Sequence, residues 1–214
     1  MEHKMISIAD QVFDELEQQI LSGTYERGDI LTEIKLSERL GVSRTPIREA
    51  LRRLEQEHII ESTSKGARVI GISAQDIADI REIRLRLEGL ASRWAAERAG
   101  DEGLDALKQA VELQEFYTQK NDPDSLTNID SRFHQTIYIL SGSHSMRDVL
   151  EPLHRKLLKY RRVSLGEPQR AQKSLAEHRA IYEAIAAHDG DSAERLTVLH
   201  VQKAHDAIAQ RGDT

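Results

Sequence analysis

The chain has 214 residues, 39% hydrophobic and 31% charged but only 4% aromatic. That suffices for one large or two smaller aliphatic-cored domains and argues against RNA recognition by base stacking. A net charge of −6 excludes bulk electrostatic attraction to a polyanion, so any nucleic-acid contact must come from local clustering. The absence of cysteine excludes disulfides, thiolate metal sites and cysteine nucleophiles. With neither a signal-like nor a membrane-length apolar run, the chain reads as cytoplasmic, without a membrane partner.

Residues 5–21 carry Ile8, Val12, Leu16 and Ile20 on one helical face, with Phe13 alongside, and Ser22-Gly23 ends that helix. SGTYERGDILT reads as a short connector. A second helix is expected from about Thr32, its N-cap, to Leu40, with Gly41 as its stop. Ser43 or Thr45 then caps a third helix, Pro46 sits in its first turn, and it runs to about His58. Arg44, Arg48 and Arg52 recur every four residues along one side, opposite Ile47, Leu51 and Leu54. Residues 44–53 form the local basic cluster, with Arg53 beside these three and Glu49 as the one acid. Ile59-Ile60 and Val69-Ile70 are β-prone, and Ser-Lys-Gly between them makes a hairpin turn.

Helix, helix, tight turn, helix, hairpin is the winged helix-turn-helix order. The helix after the tight turn then enters the major groove of double-stranded DNA. Arg44 and Arg48, in its first two turns, suit the paired acceptors of guanine. Ser43, Thr45 and the helix's first amides suit phosphates. Lys65 and Gly66 lie at the wing tip, where glycine allows close backbone approach. A solvated arginine face on a three-helix scaffold is the alternative for the arginine row alone.

After Gly71 no strand signal survives. Ser73 and Asp76 resemble a capping box for a helix carrying Ile77, Ile80, Leu87 and Ala91 and ending near Gly100. Further helices are expected at about 102–120, 123–140, 145–165, 168–188 and 191–210, making six in an antiparallel bundle. Trp94 reads as core. Asp130 and His134, at i and i+4 in NIDSRFHQTIY, can face one ligand, with His178 and His200 on the last two helices. Three imidazoles and a carboxylate suit Zn²⁺, Mn²⁺ or Ni²⁺. An ordinary surface pair among nine histidines is the alternative. Such a metal could also activate water in a hydrolase or lyase, but no HExxH helix, nucleophile elbow or phosphate loop accompanies it.

The stretch ILSGTYERGDILTEIKLSERLGVSRTPIREALRRLEQEHII resembles the N-terminal domain of GntR-family transcription regulators, through L-G-V-S-R-T-P-I-R-E-A-L above all. The resemblance covers about residues 6–70 and implies DNA contacts by Arg44, Arg48 and Gly66, with Thr45 and Lys65 beside them. Ile34 stands where the FadR member of the family has a further arginine, so no base contact is assigned to it. EIRLRLEGLASRWAA and the D-x-x-x-H of Asp130/His134 resemble the helical FCD ligand domain of the FadR subgroup. That resemblance implies a divalent metal on Asp130, His134, His178 and His200. It also implies a small carboxylate effector at the open coordination positions, assisted here by Arg84. The expected organisation is thus a mainly α protein: a winged helix-turn-helix domain over 1–71, then an effector-binding and dimerisation bundle over 72–214. It implies a homodimeric regulator, usually a repressor, on a short palindromic operator.

Overall fold

The computed structural model describes residues 7–209. The chain divides into two compact units, residues 1–74 and 75–214. The first runs α1 (Ile8–Leu21), β1 (Ile30–Leu31), α2 (Glu33–Leu40), α3 (Arg44–Gln56), β2 (Ile60–Thr63) and β3 (Gly66–Val69). Ser7 and Asp10 close a capping box at the start of α1, satisfying amides that have no helical partner. Thr32 Oγ1 accepts from the Lys35 amide at the start of α2, and Gly41 ends that helix in the left-handed region at φ 67°. Leu16, Ile47, Ala50, Leu54 and Ile59 are wholly buried and form the centre of this unit.

Two local expectations need correction. The connector before α2 is not free of structure: Ile30 pairs with Arg68 and Leu31 with Ala67, so β1 adds a third antiparallel strand in the order β1-β3-β2. Two residues are too few to show a period in sequence. α3 ends at Gln56 rather than His58, because His58 itself turns to φ 58°.

The second unit is helical throughout its described residues: α4 (Ala74–Arg98), α5 (Asp101–Lys120), α6 (Pro123–Leu140), α7 (His144–Lys156), α8 (Leu158–Leu165), α9 (Pro168–Ala186) and α10 (Gly190–Ala209). Seven helices replace the expected six, since residues 145–165 are not one helix. Pro152 inside α7 supplies no backbone N–H, and at Leu157 the backbone leaves helical geometry (φ −91°, ψ 9°). The Leu157 amide turns back to the His154 carbonyl at 3.3 Å, and Arg161 Nη2 reaches the same oxygen at 3.4 Å. Leu107, Phe133, Leu150, Ile181 and Ile185 are wholly buried, and Trp94 packs against this core. No described helix is long and apolar enough to cross a membrane.

Candidate DNA-reading face and metal centre

Burial of Ile47, Ala50 and Leu54 fixes how α3 is rotated. Arg44, Thr45, Arg48 and Arg52 consequently lie exposed, as does Ser43 just before them. Ser43 occupies the N-cap position, yet its hydroxyl makes no capping hydrogen bond. Arg53 departs from the expected basic cluster. It turns inward, stacks 4.0 Å over the Phe13 ring and donates to Asp10 at 2.7 Å, so it holds α3 to α1.

Arg48 has a partner that sequence reasoning missed. Its Nε and Nη2 donate to the two carboxylate oxygens of Glu33 at 2.9 and 2.8 Å. Arg48 remains 70% exposed, and Glu33 is held below the usual carboxylate range chiefly by this hydrogen bonding. Arg48, Arg52, Glu33, Thr63 and Gly66 line one cleft of about 350 Å³. Recognition helix and wing thus meet in one concave surface. Lys65 is exposed in the turn between β2 and β3, its amide donating to Thr63 Oγ1. Gly66 has a reason of its own to be glycine. At φ 132° a Cβ would lie 2.6 Å from the Leu31 carbonyl oxygen, a clash against backbone that cannot yield. Ile34 is exposed at 52%.

The second unit gathers its polar residues inside. On α6 the buried stripe Leu126, Asp130, Phe133, His134, Ile137 and Tyr138 follows helical spacing, so Asp130 and His134 face the core with the apolar side chains. α9 brings His178 on the stripe of Ala171, Ser174 and Ile181, and α10 brings His200 beside Thr197 and Val201. Ring nitrogens of His134, His178 and His200 all lie within 4.8 Å of one another. The Nε2 atoms of His178 and His200 are 3.3 Å apart, and Asp130 Oδ1 is 3.7 Å from His178 Nε2. Ligands of one Zn²⁺, each at about 2.0–2.2 Å, stand roughly 3–4 Å from each other, so the three imidazoles fit a metal centre, with Asp130 beside His178 as the candidate fourth ligand.

Outer partners favour the same use. His178 Nδ1 meets Gln114 Oε1 at 2.7 Å and His200 Nδ1 meets Glu177 Oε2 at 2.8 Å. Both partner atoms are acceptors, so each Nδ1 carries the proton and each Nε2 lone pair points inward. His134 Nδ1 lies 3.3 Å from Glu88 Oε2. Burial pushes the His178 and His200 imidazoles below their ordinary range, the second against the opposing pull of Glu177. Neutral imidazole is the ligand form. Burial pushes Asp130 up, but the Arg161 guanidinium beside it is the foremost of the influences that hold it well below the carboxylate range.

Arg84 is buried rather than solvated. Its Nε donates to Glu88 Oε1 at 2.6 Å, and the Tyr138 hydroxyl donates to the same oxygen at 2.8 Å. Arg161 Nη1 donates to Asp130 Oδ2 at 2.6 Å, and His154 Nε2 stands 3.6 Å from that oxygen. A cavity of about 20 Å³ is lined by Arg84, Asp130, His134, Arg161, Arg170 and His200 among others. Arg161 Nε, on the wall of this cavity, and both nitrogens of His154, next to Asp130, are buried without a hydrogen bond. Such a concentration of unsatisfied polar atoms marks a site built to receive an ion or ligand. Sequence reasoning missed Glu88, His154 and Arg161. The first two had a readable signal: Glu88 continues the stripe Ile80–Arg84–Glu88, and His154 the stripe Met146–Leu150–His154, each at intervals of four.

The cluster gives the metal-free protein a sign-determined pH response. His154, His178 and His200 are all depressed by burial, so the folded state holds them neutral while the unfolded chain takes up protons below about pH 6.5. Their contribution is complete above that value and is lost as pH falls below it. Urea unfolding of metal-free protein should therefore weaken from pH 7.5 to 5.5 with a slope above ~1.4 kcal/mol per pH unit, the value for one proton. A flat profile would mean that the three rings charge without cost.

A recognition helix with a wing, joined to a helical unit with a polar interior, defines a two-part DNA-binding regulator. Residues 8–70 match the family described as bacterial regulatory proteins, gntR family, and residues 79–203 match the FCD domain. The chain belongs to the GntR family of bacterial transcription regulators, with a C-terminal FCD domain. It is 33% identical over 185 residues to the gluconate operon transcriptional repressor of Bacillus licheniformis, covering 83% of this chain and 75% of that protein. It is 28% identical to the galactonate operon transcriptional repressor of Escherichia coli, covering 90% and 93%. The solved structure of E. coli McbR/YncC aligns over 97% of this chain and 100% of that one, with a TM-score of 0.85 and 23% identity, a likeness of fold. The family and these relatives are transcription regulators rather than enzymes.

Proposed function

We propose that the protein is a homodimeric, ligand-responsive repressor acting in the cytoplasm. Residues 1–71 read a short palindromic operator through Arg44 and Arg48, with Ser43, Thr45, Lys65 and Gly66 at the backbone and groove. Residues 72–214 form the dimer and bind a divalent metal, Zn²⁺ before Mn²⁺ or Ni²⁺, through Asp130, His134, His178 and His200. A small carboxylate completes the coordination, assisted by Arg84, and its binding alters operator affinity. Bound metal supplies a Lewis-acidic anchor for that carboxylate. Gln114 and Glu177 orient the ligand imidazoles, and Arg84 offers positive charge at the cavity wall.

The observation that carries this reading is the convergence of three buried imidazoles within 4.8 Å, beside Asp130. Sugar acids are carboxylates, and two relatives are named as repressors of gluconate and galactonate operons. The deciding experiment is elemental analysis of tag-free protein, wild type beside His134→Ala. About one metal per wild-type chain, lost in the variant, is expected. Protein that stays metal-free after reconstitution and dialysis would reduce the cluster to an organic pocket.

A further inference from the structure

We propose that the effector is a dianion: a small aliphatic dicarboxylate with one carboxylate on the metal and the other on Arg170 at the α9–α10 groove. This rests on the metal-and-carboxylate reading above and narrows it to one ligand class.

Charge balance is the first argument. Three guanidiniums surround the cavity, and each has one carboxylate: Arg84 with Glu88, Arg161 with Asp130, Arg170 with Glu177. Before metal binds, the buried Arg84 and Arg161 pairs cancel, and Glu177 balances Arg170 in a part-exposed pair at the groove that Lys203 also joins. The histidine ligands are neutral, so a divalent cation brings two positive charges that no remaining protein carboxylate balances. Excess buried charge is strongly disfavoured unless a counter-ion accompanies it. A monocarboxylate cancels only half of the excess, whereas a dicarboxylate cancels all of it.

Unused donors are the second argument. Arg161 Nε, Arg170 Nε and Arg170 Nη1 are buried with no acceptor. Arg161 is 7% exposed and lines the inner cavity. Guanidinium edges of this kind match carboxylate oxygens. They are additional to whatever Arg84 does for the metal-bound group.

Space is the third. The inner cavity, at about 20 Å³, holds roughly one water and cannot enclose a whole organic acid. A larger groove of about 720 Å³ lies between α9 and α10 and shares Arg170 and His200 with that cavity. Its lining includes Ala180, Leu196 and Leu199, and its charged residues are Arg170, Lys173 and Lys203 against Glu177 and Asp206, with Lys203 Nζ 3.7 Å from Glu177 Oε1. A ligand can therefore place one end at the metal, lay a short methylene chain on apolar side chains and set its second acid beside Arg170 and the two lysines.

The test is calorimetric titration of the full-length, zinc-loaded protein with succinate and glutarate, against propionate and butyrate at matched ionic strength. The diacids should bind at least 10-fold more tightly. In Arg170→Gln that ratio should collapse toward one, and Lys173→Gln, a milder change at the rim, should reduce it in the same direction. Equal binding of propionate and succinate by loaded protein would overturn the dianion while leaving the carboxylate reading intact. Heat from none of the four acids would overturn both. Undiminished diacid binding after zinc removal would sink the charge argument.

Discussion

Arg84→Ala should destabilise the helical unit by about 3–5 kcal/mol, the usual consequence of stranding one member of a buried ion pair. Arg84 and Glu88 are almost fully buried, 5% and 1% exposed. Burial by itself would push Glu88 up, and the Arg84 charge is the foremost of the influences that hold it well below the carboxylate range. With Arg84 gone, Glu88 keeps the Tyr138 hydroxyl as a donor but loses its counter-charge, so the carboxylate must either stay charged in an apolar surrounding or take up a proton. The chain has one tryptophan, Trp94, packed on the core of this same unit. Its fluorescence in urea therefore follows the unit that carries the lesion, which matters because two compact units need not unfold together. Adding Glu88→Gln to the variant should return part of the loss, since the stranded charge is then gone. A double variant less stable than Arg84→Ala would show that packing, not charge, holds the pair in place.

How much of this was legible in the sequence depends on whether a signal is local. The helices of the second unit were readable where Gly, Pro or Asn interrupts an apolar period, and α6 begins and ends where that reading put it. The break at Leu157 has no glycine or proline of its own. It is held by the Arg161 side chain reaching back to the His154 carbonyl, a contact that spans two helices and leaves no pattern between them. β1 exists only because β3 supplies its partner. Arg53 differs from Arg48 by its position around α3, and only packing against Phe13 reveals that it faces inward. The histidines and Asp130 could be listed from spacing and resemblance, whereas the carboxylates and guanidiniums behind them are tertiary facts. A buried charge is tolerated because of a partner far away in sequence, as Arg161 and Asp130 are, 31 residues apart.

In the first unit the largest expected effect is on DNA affinity rather than stability. Arg48→Ala should weaken binding to the selected operator by ~1–3 kcal/mol, about 5- to 150-fold, if its contact is a bidentate guanine pair. The pairing with Glu33 sharpens this expectation. A guanidinium has five N–H donors, and Glu33 takes those at Nε and on one side of Nη2. The outer edge formed by Nη1 and Nη2 stays free, and it is the edge that matches guanine O6 and N7. An exposed ion pair of this kind adds at most ~1 kcal/mol to folding, so its importance lies in orientation. A side chain already held in one rotamer loses less entropy on docking. Glu33→Ala should leave folding nearly unchanged and lower operator affinity by less than Arg48→Ala. By removing a negative charge near the phosphates it should also strengthen binding to scrambled DNA. The ratio of specific to non-specific affinity should fall on both counts, measured by fluorescence anisotropy at several salt concentrations. If Arg48→Ala instead weakens operator and scrambled DNA equally and reduces the salt slope by about one, Arg48 meets a phosphate, and Glu33 serves only to restrain its charge.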